Sequence, residues 1–546
     1  STIMRSLVSD SFTPRHNIAI DLKLVAAGSL LPATLSGSGP DVNMTLGSVT
    51  IINYAIRSAA LPINPEGYVD QEDDDEETLA FNKKCREIFS DYEQVISWFD
   101  EAATVPLELY GVAYGLPETE SFSMLFYRSD ILLQLGLEIP ETWDDVYNML
   151  PTLQTNNLDF GYHESLAGLL IMLYQRGEQL YSKPVEGDPD PKNGLTGAMS
   201  VNLDSNAALE TFKEMCELYT MYGFPYSYNF ANRFRTGEMP IGIAGYNGTY
   251  NHLIVFATEL RGLWEFVPMP GYYLTNDKGE TYLNNTSVSS VSSIVMINGC
   301  ENQEAAWEFM KWHSGAECQV EYSNEMVAIL GDSAKHATAN ITALETMPWT
   351  NKEYTNLMGQ FNNLASIPNY PGAYIIGRYT KFAFLSAYND NADPVTELLS
   401  YITTINKEIN RKRSEFNLET LEIGQTLASK RRDWILGYST DEATGNITIL
   451  EDANGNEYGI EALSDSAKST YANELKAVTD ALDAVPTYTA YCADEYITAL
   501  RDAGAALKAA TASASGADAE VLAKICEYIN TCAKALKEYQ ASYPQK

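Results

Sequence analysis

The chain has 546 residues, 45% hydrophobic and 20% charged, which points to a globular protein of more than one domain. Its formal net charge of −37 argues against nucleic acid, whose phosphates need a cationic partner, and against an anionic membrane surface; it favours solubility and neutral or cationic ligands. No run of about 20 apolar residues occurs to span a bilayer, and the seven cysteines, odd in number and without C-x-x-C, read as buried free thiols rather than a disulfide framework or zinc site.

In chain order, residues 18–25 alternate apolar and polar side chains and predict a strand. Gly37, Gly39 and Pro40 then break the chain. The acidic run 72–77 predicts a solvated loop or a helix start, since it lacks the glycine of a calcium loop. Asp204 or Ser205 can cap a helix carrying Leu209, Phe212, Met215 and Tyr219 on one face. Short strands are expected at 241–244 and 293–297. Asn302 can cap a further helix with Ala305, Ala306, Phe309 and Met310 inward. At Asp393-Pro394 an Asp cap precedes a Pro at the first helical position, and Val395, Leu398, Ile402, Ile405 and Ile409 follow at helical spacing. Strands alternating with helices over about 400 residues predict α/β lobes.

The composition changes near Ile435. Residues 437–460 are rich in Gly, Asn, Asp and Thr and predict a loop or hairpin, with Asn454-Gly455 as a turn signal. From Ser464 the chain is Ala-rich. Tyr471, Leu475, Val478 and Leu482 form one stripe, and Asp518 can cap a last helix bearing Val521, Leu522, Ile525, Ile529 and Leu536. Pro486 and residues 513–516 divide this part into about three helices, a separate all-α bundle.

Several segments together resemble one family. They are Ser36-Gly-Ser-Gly-Pro-Asp41-Val42; Tyr114-Gly-Leu-Pro-Glu-Thr-Glu-Ser-Phe-Ser-Met-Leu-Phe-Tyr127; Ile139-Pro-Glu-Thr-Trp-Asp-Asp145; Gly237-Glu-Met-Pro-Ile-Gly-Ile-Ala-Gly-Tyr246-Asn247; Val267-Pro-Met-Pro-Gly271; and Ile367-Pro-Asn-Tyr-Pro371. In this order they resemble the maltose-binding type of extracellular solute-binding proteins of sugar ABC transporters. The resemblance runs over about residues 18 to 415 and implies a periplasmic-binding-protein-like, two-lobed α/β clamp (type II) with the C-terminal helical bundle appended. It also implies a strand ahead of Phe12, where only eleven residues stand, so another segment supplies it or the sequence is a fragment. Lobe 1 is expected at 1–117 with 288–343, lobe 2 at 118–287 with 349–417, a linker or hairpin region at 418–463, and the bundle at 464–546. Crossings between lobes are expected near 116–122, 269–287 and 343–349.

The implied function is capture of a carbohydrate, an oligosaccharide, between the lobes, for delivery to the permease subunits of an ABC importer. No enzyme activity, cofactor, metal or nucleic-acid partner is implied. The implied location is extracellular, held to a Gram-positive surface by a lipid tether absent from this sequence. Sugar hydroxyls need paired donors and acceptors, and ring faces need flat apolar partners. On that basis Asp41, Thr45 and Ser48 are candidates near the cleft. Glu118, Glu120 and Ser121 lie in the first crossing, where period 2 turns both carboxylates to one face. Glu164 falls where the maltose type carries a sugar-binding Glu. Tyr246 is the expected stacking residue, with Asn247 beside it, and Tyr374 and Arg378 follow the 367–371 turn. Trp143 reads as structural. Three rivals remain: a glycoside hydrolase using Glu118 and Glu120, an adhesion or signalling module acting through the bundle, and the same clamp with a peptide, polyol or metal complex as cargo.

Overall fold

In chain order the main sheet comprises β1 (Val42–Gly47), β2 (Gly115–Arg128), β3 (Phe160–Gly161), β4 (Ile241–Gly245), β5 (Trp264–Val267), β6 (Ser287–Met296) and β7 (Leu364–Ala365). The computed structural model describes residues 2–26, 28–181, 201–276, 278–331, 334–416, 432–433, 435–440, 446–451, 457, 459–485 and 494–542. The strands pair in the order β1-β6-β2-β4-β3, with β7 beside β6 and β5 beside β2. β2 changes partners midway. Its first half, from Gly115 to Phe122, runs antiparallel to β6, and its second half pairs with β4 from Ser123 and with β5 from Leu125. Residues 337–340 lie along the other edge of the first half, with Glu120 N–H donating to Ala337 O and Ala339 N–H to Glu118 O. The expected crossing at 343–349 lies just beyond and begins in the helix Ile341–Thr346.

Packing divides at this change of partners. Leu116, Ile294 and Val295 join Phe12, Ile51, Phe89 and Trp307 in the core of one lobe. Leu125 and Tyr127 face a second core with Trp143, Leu169, Phe212 and Phe384. Met124 and Phe126, on the reverse of the strand, face a third core with Phe234, Tyr246 and Phe266. The second lobe therefore has helices on both faces of its sheet, as continuous apolar strands require.

Among the helices of the two lobes are α1 (Ser48–Ala55), α2 (Leu166–Gln175), α3 (Gln303–Ser314), α4 (Tyr374–Asp390) and α5 (Pro394–Glu415). Their starts follow the local sequence. Ser165 caps α2 by accepting from Gly168 N–H at 3.0 Å, Asn302 caps α3 and Asp393 caps α5. Ser205, rather than Asp204, caps Asn206–Thr220, and Asp75 of the acidic run caps Glu76–Ile88. Trp143 begins a helix inside a Thr142/Asp145 capping box; it is fully buried, and its indole N–H donates to Gln175 Oε1 at 2.8 Å.

Residues 18–25 do not form the expected strand. Ile18, Ile20 and Leu22 do pack on the first core, so the alternation is real, but among the described residues no neighbouring strand completes a ladder, and Leu24 is 90% exposed. Ahead of Phe12 the chain is helical over Thr2–Leu7 rather than extended.

The C-terminal part has its own core of Ile435, Leu475, Val478, Leu500, Ile525 and Ile529 among helices Asp465–Thr470, Ala472–Asp483, Asp494–Ala510 and Ala517–Ser542. Tyr438–Thr440 pairs with Ile447–Ile449 as a hairpin. Asn454-Gly455 and Pro486 lie outside the described residues. Asp518 accepts from the Ser464 backbone and hydroxyl, joining the starts of two helices. Six cysteines are free and buried, and Cys492 lies outside the described residues.

Candidate ligand site between the lobes

The paired stretch of β2 and β6 lies between the two lobe cores. Its register is Thr119 opposite Ser292, Glu120 opposite Val291, Ser121 opposite Ser290, and Phe122 opposite Ser289. Directly opposed residues share a face, and successive ones alternate. One face therefore carries Thr119, Ser121, Ser290 and Ser292, all exposed or half-buried. Thr119 and Ser292 hydroxyls lie 2.6 Å apart. Gly47 of β1 extends this row opposite Ser292, and Gly245 of β4 lies opposite Ser123. Among the described residues, a Cβ at Gly47 would meet nothing within 4 Å. α1 from one lobe and α2 from the other both pack against β6. The result is a groove with a floor of hydroxyls and a wall from each lobe.

Glu120 and Phe122 lie on the opposite face, and Glu118 stands where the register slips between Ser292 and Ser293; all three side chains are enclosed. Glu118 is 3% exposed; His313 Nε2 of α3 lies 2.6 Å from Oε1, and the Thr45 backbone N–H donates to Oε2. Behind His313, Gln319 Nε2 donates to its carbonyl at 2.7 Å, and Thr338 Oγ1 donates to Gln319 Oε1 at 2.8 Å. His336 stands 3.0 Å from the same Oε1, and burial lowers its ring to about 4, leaving it neutral. Glu120 is 1% exposed, and Ser289 Oγ donates to Oε1 at 2.7 Å while Oε2 has no hydrogen-bond partner among the described residues. Burial pushes this carboxyl up to about 8, partly offset by Ser289. Tyr246 is 1% exposed, its ring tilted on Phe122 at 4.6 Å, and burial raises its hydroxyl.

Regular alternation is interrupted at Glu118, and Glu118, Glu120 and Tyr246 are all buried rather than open to the groove. Spacing reports which residues share a face; the third core decides which face it covers. The paired-carboxylate reading loses its geometry for the same reason, because neither group faces the groove.

The other predicted residues are dispersed. Ser121 is on the floor and Ser48 begins α1 beside it. Thr45 is exposed, with φ at +62°. Asp41 is exposed, and its carbonyl accepts from Ile297 N–H at 2.9 Å. Glu164, just before α2, is ion-paired with Lys381 of α4; burial raises its carboxyl and the ammonium opposes this. Lys381 stands over Tyr226 at 4.6 Å. Asn247 donates to Lys335 O at 2.6 Å. Tyr374 is 47% exposed and donates to Glu408 of α5, and Arg378 is exposed one turn along α4.

The sequence reading missed Ser290 and Ser292, although Ser287-Val-Ser-Ser-Val-Ser-Ser293 signals a strand with hydroxyls on both faces. It also passed over contacts that join the lobes. Tyr370 packs on both lobe cores and stacks on Tyr110 at 5.8 Å. Arg413 at the end of α5 covers Tyr110 at 4.9 Å, Asn369 Nδ2 donates to Pro106 O at 3.1 Å, and Arg57 lies over Phe416 at 5.2 Å.

Two α/β lobes joined by strands that belong to both, with a polar groove at the join, define a hinged binding protein. The chain belongs to the family of bacterial extracellular solute-binding proteins, whose model matches residues 2–319. No curated protein sequence matches it. Among solved structures it is similar to the sugar-binding protein MalE from the phytopathogen Xanthomonas citri, at 16% identity and TM-score 0.57, over 77% of this chain and 97% of that one. It is also similar to the maltose-binding periplasmic protein MalE from Listeria monocytogenes in complex with maltose, at 14% identity and TM-score 0.53, over 75% and 95% of the two chains. An ABC transporter solute-binding protein from Thermotoga lettingae, bound with α-D-tagatose, aligns at 14% identity and TM-score 0.52, over 75% and 96%. About a quarter of this chain therefore has no counterpart in these neighbours.

Proposed function

We propose that this protein captures a carbohydrate, an oligosaccharide, in the inter-lobe groove outside the cell and delivers it to the permease subunits of an ABC importer. The observation that carries the reading is the hydroxyl floor. Each Ser or Thr hydroxyl donates once and accepts twice, which matches the chemistry of sugar hydroxyls, and the two acidic groups of the crossing are buried. The sugar ligands of the similar proteins support the same class. Lobe 1 is taken as 1–117 with 288–343, and lobe 2 as 118–287 with 349–417. The 418–463 region links them to the 464–546 bundle. A tether to a Gram-positive surface completes the proposal.

Capture works by differential affinity. A guest on the floor touches both walls only when the lobes are together, so binding shifts the population toward the closed form. At 100 times Kd, binding to the native state alone stabilises it by about 2.7 kcal/mol. A thermal-shift screen against neutral oligosaccharides, peptides and polyols tests this. At least one oligosaccharide should raise the melting temperature in proportion to the logarithm of its concentration. Stabilisation by peptides alone overturns the carbohydrate assignment.

A further inference from the structure

Thr45 is a β-branched residue held at φ +62°, in the left-handed region that such side chains avoid. Backbone strain of this kind persists only where surrounding structure imposes it. Here the agent is visible. The pairing of β1 with β6 slips between Asn43 and Leu46, and inside that slip the Thr45 N–H is held by the buried Glu118 carboxylate. Glu118 is itself held by His313 from α3, whose carbonyl is held by Gln319. The chain leaves Thr45 through Leu46 to Gly47 and Ser48, which form the lobe 1 margin of the floor.

We infer that Glu118 is a positioning residue: buried at the register slip of the crossing strand, it pins the strained Thr45, and through it sets the lobe 1 lip of the groove for a saccharide. This rests on the carbohydrate reading above. It gives the buried carboxylate a role without ligand contact. It also explains why a left-handed site carries Thr where Gly would relax the backbone. Relaxing the strain should then improve the fold and spoil the site.

The experiment compares wild type with Thr45→Gly, Glu118→Ala and Glu118→Gln on an array of neutral oligosaccharides that includes maltose. Melting temperatures and amide hydrogen exchange at residue 45 are measured on the same proteins. Thr45→Gly should melt higher than wild type yet bind the retained glycan about tenfold more weakly, the scale of one or two lost hydrogen bonds. Glu118→Ala should lose amide protection at Thr45 and affinity together. Glu118→Gln keeps an oxygen acceptor for that N–H and should recover most of both. Wild-type affinity in Thr45→Gly, or unchanged Thr45 protection in Glu118→Ala, overturns the inference. An array on which wild type retains nothing overturns the carbohydrate reading instead.

Discussion

At Glu120 a carboxyl group with one unmatched oxygen is enclosed behind the floor, titrating at about 8 where an exposed glutamate titrates near 4.5. Between those values the native state holds one more proton than the unfolded state, so this group's contribution to stability falls as pH rises through the window. Glu120→Gln keeps the shape and removes the titration. The wild-type melting temperature, measured relative to that variant, should therefore fall from about pH 5 to about pH 8 and level off above; parallel curves would show that Glu120 titrates normally. Trp143 is the opposite kind of residue, fully buried with its donor satisfied by Gln175, which in turn donates to Pro270 O at 3.0 Å and Thr286 O at 3.1 Å. Trp143→Ala should cost about 3–5 kcal/mol in urea unfolding. Trp143→Phe, which leaves Gln175 Oε1 unmatched, should cost about 1–3 kcal/mol. Trp143 was legible because Thr142 and Asp145 announce a helix start around it. The burial of Glu118 and Glu120 was not, because both faces of that strand are polar and only tertiary packing encloses the carboxylates.

Among elements, the capped helices follow directly from spacing and caps, as at Ser205, Asn302 and Asp393, while the crossing strands were expected from the family resemblance. Residues 18–25 show the limit of that logic: alternation records one-sided burial, and a strand also needs a partner. The Glu108–Leu109/Val112–Ala113 hairpin places Tyr110 at its turn, against Tyr370 from the other lobe, with Arg413 above it. Nothing local in the sequence could pair residues so distant. Aromatic pairs of this kind contribute about 0.5–1.5 kcal/mol beyond buried area. If they form fully only with the lobes together, Tyr370→Ala should weaken saccharide binding by that amount, mainly through faster release in stopped-flow displacement. An unchanged release rate would make the stack a permanent hinge contact.

Across the whole molecule, the two lobes share strands, whereas the C-terminal part packs around its own core and approaches lobe 2 through Ala517–Ser542 against Asn206–Thr220. A chain lacking residues 440–546 should keep the oligosaccharide affinity of the full protein in calorimetry; a large loss would make the bundle part of the site. The clamp's central claim concerns motion between lobes, and distance reports it most directly. Spin labels at Val69→Cys and Leu133→Cys, positions 65% and 82% exposed on opposite lobes, allow pulsed dipolar measurement without touching the groove. Saturating oligosaccharide should shorten and narrow the distance distribution. Calorimetrically proven binding with an unchanged distribution would contradict capture by closure.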